Sequence, residues 1–123
     1  MPRIEVRYFR EADRSVPLLD WLDELPAKAQ DKCLVRLARL QELGHELRRP
    51  EGDYLRDGIY ELRASLHGIH YRMLYFFYGS VAVVVSHGLV KERSVPLRAV
   101  ERAIERKRKF ERDPRRHSFQ PEL

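Results

Sequence analysis

The stretch ELRASLHGIHYR, residues 61–72, carries an arginine on each side of a turn signal, Arg63 before it and Arg72 after it. His67-Gly68 reads as a two-residue hairpin turn, and a turn of that length pairs positions equidistant from it, so Arg63 faces Arg72 directly. Gly79-Ser80 reads as a second two-residue turn and carries the same row onto a third strand, where Arg72 meets His87. Like charges opposed across a sheet cost a few tenths to ~1 kcal/mol, so stability gives no reason to build the row. What the row offers is anion chemistry: two guanidinium forks grip a phosphate, and a histidine stands close enough to move a proton. The alternative is that each arginine turns to a carboxylate such as Glu61 and that His87 is an ordinary strand residue.

A phosphate held this way suits transesterification of RNA, because RNA supplies its own nucleophile in the 2′-hydroxyl and needs only positioning, proton movement and stabilisation of the phosphorane. Hydrolysis of DNA usually needs a metal to activate water, and the sequence has no convincing carboxylate cluster to hold one. His67 and His70 are three apart across a turn, but the single cysteine is distant and no second ligand pair is visible, so neither a metal nor another cofactor is expected. Tyr71 and Tyr75 could stack on bases, yet the same register points both to the core face, where packing is the expectation.

The elements that must position this row are legible in outline. RIEVRYF alternates polar and apolar residues and reads as a strand over 3–9. Ser15 can cap a helix through Leu25, with Leu18, Leu22 and Leu25 on one side. Pro26 ends it and opens a second helix to Gly44, with Leu34, Leu37, Ala38 and Leu40 as its apolar stripe. Residues 45–58 read as a loop, three strands follow over 59–66, 69–78 and 81–89, and a last helix runs from Pro96 to about Arg112. On one face of the three strands, Leu62 meets Met73 and Ser86, Tyr60 meets Tyr75 and Val84, and Ala64 meets Tyr71 and Gly88. On the other, Ile59 meets Phe76 and Val83, Glu61 meets Leu74 and Val85, and Arg63 meets Arg72 and His87. The fold class is α+β: an N-terminal strand, a helical hairpin, a three-stranded antiparallel meander and a C-terminal helix in one small domain over 1–112, with 113–123 as a mobile tail.

With 43% hydrophobic and 35% charged residues among 123, the chain fits a compact globule rather than a disordered or membrane one. No apolar run approaches the ~18 residues that span a bilayer, and MPRIEVRYFR lacks the apolar core of a secretory signal. A cytoplasmic protein with no membrane partner is expected. The single cysteine, Cys33, fits a reducing compartment and reads as a buried helix residue. The net charge is +5, and residues 98–116 hold nine Lys and Arg against four Asp and Glu, which accounts for all of it. Such a segment points to a polyanion such as nucleic acid, with a solvated helix face as the alternative.

GIYELR, GIHYRMLY, SHGLVKERSVP and the helix AVERAIERKRKF resemble, in order and spacing, the HigB-like branch of the RelE/ParE superfamily of toxins from bacterial toxin–antitoxin modules. The likeness covers nearly the whole chain. It implies a small RelE-like α+β toxin that cleaves messenger RNA on the ribosome and is silenced in a hetero-oligomer with a cognate antitoxin, of helix-turn-helix type. By position, Arg63 and Arg72 match the strand arginines that contact the scissile phosphate, and His87 and Lys91 match the His-Gly position and the first of the following lysines. Arg56, Lys91, Arg93, Arg102 and Arg106 are then the candidate RNA contacts. The sequence departs from the pattern in three places: Glu51-Gly52-Asp53 replaces a lysine-bearing loop, Lys91-Glu92 replaces a lysine pair and the segment from there to Pro96 is one residue short, and Leu89 replaces an aromatic. A ParE-like inhibitor of DNA gyrase and a non-catalytic RNA or ribosome binder remain the alternatives.

Overall fold

In a computed structural model, which describes residues 4–90 and 93–123, the chain order is β1 (Glu5–Phe9), α1 (Pro17–Asp23), α2 (Ala27–Leu43), β2 (Gly52–Arg56), β3 (Ile59–Leu66), β4 (Ile69–Tyr78), β5 (Ala82–Val90), α3 (Leu97–Arg112) and β6 (Ser118–Phe119). The strands make one sheet in the order β2-β3-β4-β5-β1-β6, with β1 parallel to β5 and the other pairings antiparallel. This is the expected α+β class and is consistent with a RelE-like fold. Among the described residues no helix is long and apolar enough to cross a membrane.

Helices α1 and α2 cover one face of the sheet. Ala29, Cys33, Leu37 and Leu40 bury one stripe of α2 against Val6, Tyr8, Leu62, Met73 and Tyr75, while Leu34, expected in that stripe, is 37% exposed. Burial pushes the Cys33 thiol up to about 11, which leaves it inert. Neither helix has a side-chain cap: Ser15, read as the cap of α1, bonds Asp13 instead, and α1 begins at Pro17. The buried leucines, each contributing about 1.5–3 kcal/mol, outweigh a missing cap at about 1 kcal/mol. Helix α3 covers the other face, where Val100, Ala103 and Phe110 meet Phe9, Ile59, Leu74, Phe76 and Val84.

Three readings of the sequence are corrected by the structure. Residues 52–56, assigned to a loop, form β2 and pair with β3 from Gly52↔Leu62 to Arg56↔Ile59. Residues 113–123, expected as a mobile tail, return to the sheet: β6 pairs with β1, His117 stacks on Phe9 at 5.1 Å with its Nδ1 2.8 Å from the Arg10 carbonyl, and Phe119 stacks on Tyr8. The turn after β4 takes in three residues, 79–81, and the register to β5 slips accordingly. Val84 pairs with Phe76 on the α3 side, and Val83 and Val85 turn to the α1–α2 side, each opposite to the face assigned.

A bulge then undoes the slip. Between Tyr75↔Val85 and Leu74↔His87 the fifth strand carries one extra residue, Ser86, which puts His87 back on the α3 side. Gly88 follows on the opposite side, under α1. A methyl group there would overlap the Trp21 ring well inside van der Waals contact. Gly88→Ala is expected to destabilise by about 1–3 kcal/mol in urea denaturation, and Gly88→Ala with Trp21→Leu to recover part of the loss. Equal stability of Gly88→Ala and wild type would show that the indole moves aside freely.

Candidate functional site

The first hairpin has the expected register, with Leu62↔Met73, Arg63↔Arg72 and Ala64↔Tyr71. His67 and Gly68 supply it by taking φ of 53° and 78°, the pair of positive values a type I′ turn requires. Arg63 and Arg72 therefore stand side by side on adjacent strands. Both close on one group: Glu61 Oε1 accepts from Arg63 Nε and from Arg72 Nη1, the latter at 2.7 Å. Glu61 lies two residues before Arg63 on the same face and is only 1% exposed. Asp53 of β2 adds a contact to Arg63 Nη2 at 3.2 Å, and Arg72 Nη2 donates to the Arg93 carbonyl. The carboxylate alternative is thus what the structure contains, but one carboxylate serves both arginines and draws their forks together.

The arginine pair separates two clefts. One, of about 470 Å³, lies toward α3 and is lined by Arg56, Glu61, Arg63, Arg72, Arg93 and Val95 among others. The other, of about 940 Å³, lies toward α2. Of the expected RNA contacts, Arg56 and Arg93 lie at the first cleft, Arg56 also pairing with Asp57 at 2.8 Å. Arg102 is exposed on α3, and Lys91 lies outside the described residues. Arg106 is corrected: its side chain is 12% exposed, pairs with Glu11 at 3.3 Å, donates to Ser86 Oγ at 3.4 Å and lies over the Phe9 ring. It ties α3 to the sheet instead of facing solvent, and burial lowers the pKa of its guanidinium.

His87 is the second correction. It faces Leu74, one pair along from the expected partner, and Arg72 faces Leu89. Its Nδ1 lies 2.8 Å from Ser86 Oγ. Burial, and then the charges of Arg106 and Arg102, lower its pKa from 6.5 to about 4, so the imidazole is neutral at pH 7 and has no proton to give as an acid. Since the folded protein holds this proton less tightly than the unfolded chain, the stabilising contribution is complete above pH 6.5 and is lost as the pH falls toward 4. Urea midpoints of wild type are expected to drop over that window more than those of His87→Gln, by about 1–2 kcal/mol after partial solvent screening. Parallel pH profiles of the two proteins would contradict the placement.

Around the arginines, β2 is anchored by charge. Arg36 and Arg39 of α2 hold the Glu51 carboxylate at 3.0 and 3.1 Å, and the Arg39 hydrogen bond in particular keeps it below the usual carboxylate range. The Glu51 carbonyl then accepts from the Arg63 amide at 2.7 Å. Glu51 and Asp53, which replace the expected lysine loop, thus serve to seat Arg63. The sequence analysis did not assign them that role, and the signal available was their acidity two strands from a pair of arginines.

A family model described as "Phage derived protein Gp49-like (DUF891)" matches residues 20–108, which spans α1 through most of α3 and the whole arginine hairpin. No curated protein matches the chain.

Proposed function

The chain belongs to the Gp49-like family of phage-derived proteins, a RelE/toxin-like family, and from that membership and the paired arginines we propose that it is the toxin of a toxin–antitoxin module, of the HigB-like branch. Its proposed activity is endoribonucleolytic cleavage of messenger RNA on the ribosome by attack of the 2′-hydroxyl, with no metal required. The observation that carries this reading is the convergence of Arg63 and Arg72 on a single oxygen of Glu61 at the edge of an open cleft. Two forks held that close by a buried carboxylate are pre-oriented, so that a phosphate arriving at their outer nitrogens meets donors already in place. Arg63, at 35% side-chain exposure, is the more open of the two to make that contact. Arg56 and Arg93 extend positive charge along the cleft for the flanking backbone.

The proposed partner is a helix-turn-helix antitoxin that covers this face, and the proposed site of action is the cytoplasm. A second reading, an RNA or ribosome binder without chemistry, draws on the same cluster: Glu61 and Asp53 already satisfy donors of both arginines. The two part in one experiment. Purified protein added to ribosomes translating a defined message is expected to give cut RNA ending in a 2′,3′-cyclic phosphate, with or without chelator. Bound but intact RNA would favour the second reading, and intact RNA with gyrase supercoiling blocked would favour a ParE-like inhibitor.

A further inference from the structure

With His87 neutral and turned toward α3, the proposed reaction needs another group to take the proton of the 2′-hydroxyl. Glu61 is poorly placed for it, being buried and held by both guanidinium groups. The next cross-strand pair along the hairpin is Ser65↔His70. Same-face positions two apart on a strand are separated by about 7 Å, so this pair is the immediate neighbour of Arg63↔Arg72. Both residues are exposed, and His70 Nδ1 lies 3.0 Å from Ser65 Oγ.

All four side chains line the larger cleft, of about 940 Å³, between α2 and the free end of β3. That end is free because β2 stops pairing at Gly52↔Leu62, and beyond it the Arg63 amide and carbonyl are taken by Glu51 and by Arg36 Nε at 2.9 Å. Across the cleft stand Lys28, Asp31, Lys32 and Arg36 of α2. Lys28, Lys32 and Arg36 follow one another at intervals of four, on one side of the helix. The cleft is basic on two walls, has one acidic residue, and has a histidine beside the arginine pair.

We propose that His70 is the proton acceptor of the cleavage reaction, positioned by Ser65, in a cleft that takes a single strand of RNA past Lys28 and Lys32; this rests on the ribonuclease reading. With Nδ1–H donating to Ser65 Oγ, Nε2 keeps its lone pair for the substrate. The 2′ O–H bond breaks and its proton moves to Nε2 while the 2′-oxygen bonds to phosphorus. The bond from phosphorus to the 5′-oxygen then breaks, and the departing oxygen takes a proton from water. The products are a 2′,3′-cyclic phosphate and a 5′-hydroxyl, and the imidazolium returns its proton to solvent. Arg63 and Arg72 hold the phosphorane charge throughout.

The test is cleavage of a defined message on ribosomes by wild type, His70→Ala, His70→Gln and Ser65→Ala. Both His70 variants are expected to lose about 10²-fold or more in kcat with KM within threefold of wild type. Added imidazole is expected to restore part of the His70→Ala rate and none of the His70→Gln rate, because only the first leaves room for it. Ser65→Ala is expected to lose about tenfold and to respond little to imidazole, as a positioning residue should. His67→Asn, at the turn, serves as the control and is expected to stay within twofold. If both His70 variants cut at the wild-type rate while Arg72→Lys is impaired, the assignment of His70 is overturned and the ribonuclease reading stands. If wild type leaves RNA intact, both fall together.

Discussion

Arg72→Lys is expected to lower RNA cleavage by about 10²–10³-fold with little change in KM, and to abolish growth arrest in cells that wild type stops. Lysine keeps the positive charge, so a protein that merely holds RNA by counterion release would lose almost nothing. What lysine lacks is the planar fork. Arg72 gives one nitrogen to Glu61 and another to the Arg93 carbonyl, an arrangement that fixes the guanidinium plane in a way a compact ammonium on a flexible stem cannot reproduce. Losing one pre-oriented donor to a developing phosphorane has a typical cost of 10²–10³ in rate. The measurement is single-turnover cleavage of a short message in stalled ribosomes. Wild-type rates from Arg72→Lys would mean that the arginine pair binds RNA and takes no part in bond breaking.

The arginine hairpin was legible in the sequence because a two-residue turn leaves the register no freedom. His67-Gly68 takes positive φ at both positions and Arg63↔Arg72 follows. The second hairpin was not legible, for a reason visible in its composition. Residues 81–85 read VAVVV, and the sheet is buried on both sides, so no alternation marks which valine faces which helix layer. A loop one residue longer than Gly79-Ser80 therefore moved Val83, Val84 and Val85 to opposite faces without any conflict in polarity. Ser86 then restored the face of His87 by bulging, which no local signal announces. The returning C-terminal segment was hidden similarly: Asp113-Pro114 and Arg115-Arg116 read as the end of order, while the residues that bring the chain back are His117 and Phe119, whose ring partners Phe9 and Tyr8 lie more than a hundred positions away.

The candidate site divides along the same line. Residue types and the first turn sufficed to pair the arginines, and the resemblance supplied the same pair independently. Their shared carboxylate could be named from the sequence, yet its burial could not, because only the layer formed by α3 and the segment before it closes over Glu61. Arg106 shows the limit of reading charge along a helix. Its neighbours Arg102 and Arg108 are exposed, whereas a Phe9 ring below and Glu11 beside it turn Arg106 inward.

Glu61→Ala is expected to destabilise the fold by about 3 kcal/mol, read from urea denaturation at pH 7. Removing one member of a buried ion cluster leaves its partners facing each other without compensation, and here two arginines on adjacent strands would do so, Arg72 at 12% exposure and Arg63 at 35%. Arg63 can turn partly to solvent and keeps Asp53, which places the loss at the lower end of the usual 3–5 kcal/mol. Removing the whole cluster should behave differently. In Glu61→Leu with Arg63→Met and Arg72→Met no charge remains stranded, and apolar groups of similar length fill the same space, so stability is expected to return to within ~1 kcal/mol of wild type or above it. That variant should leave RNA intact. The contrast separates what the cluster does for folding from what it does for function: a cluster that could be exchanged for leucine and methionine without loss of stability persists for its chemistry. Should the triple variant instead be the least stable of the set, the three charged residues would be a structural fastening, and the arginine pair would lose its standing as a site.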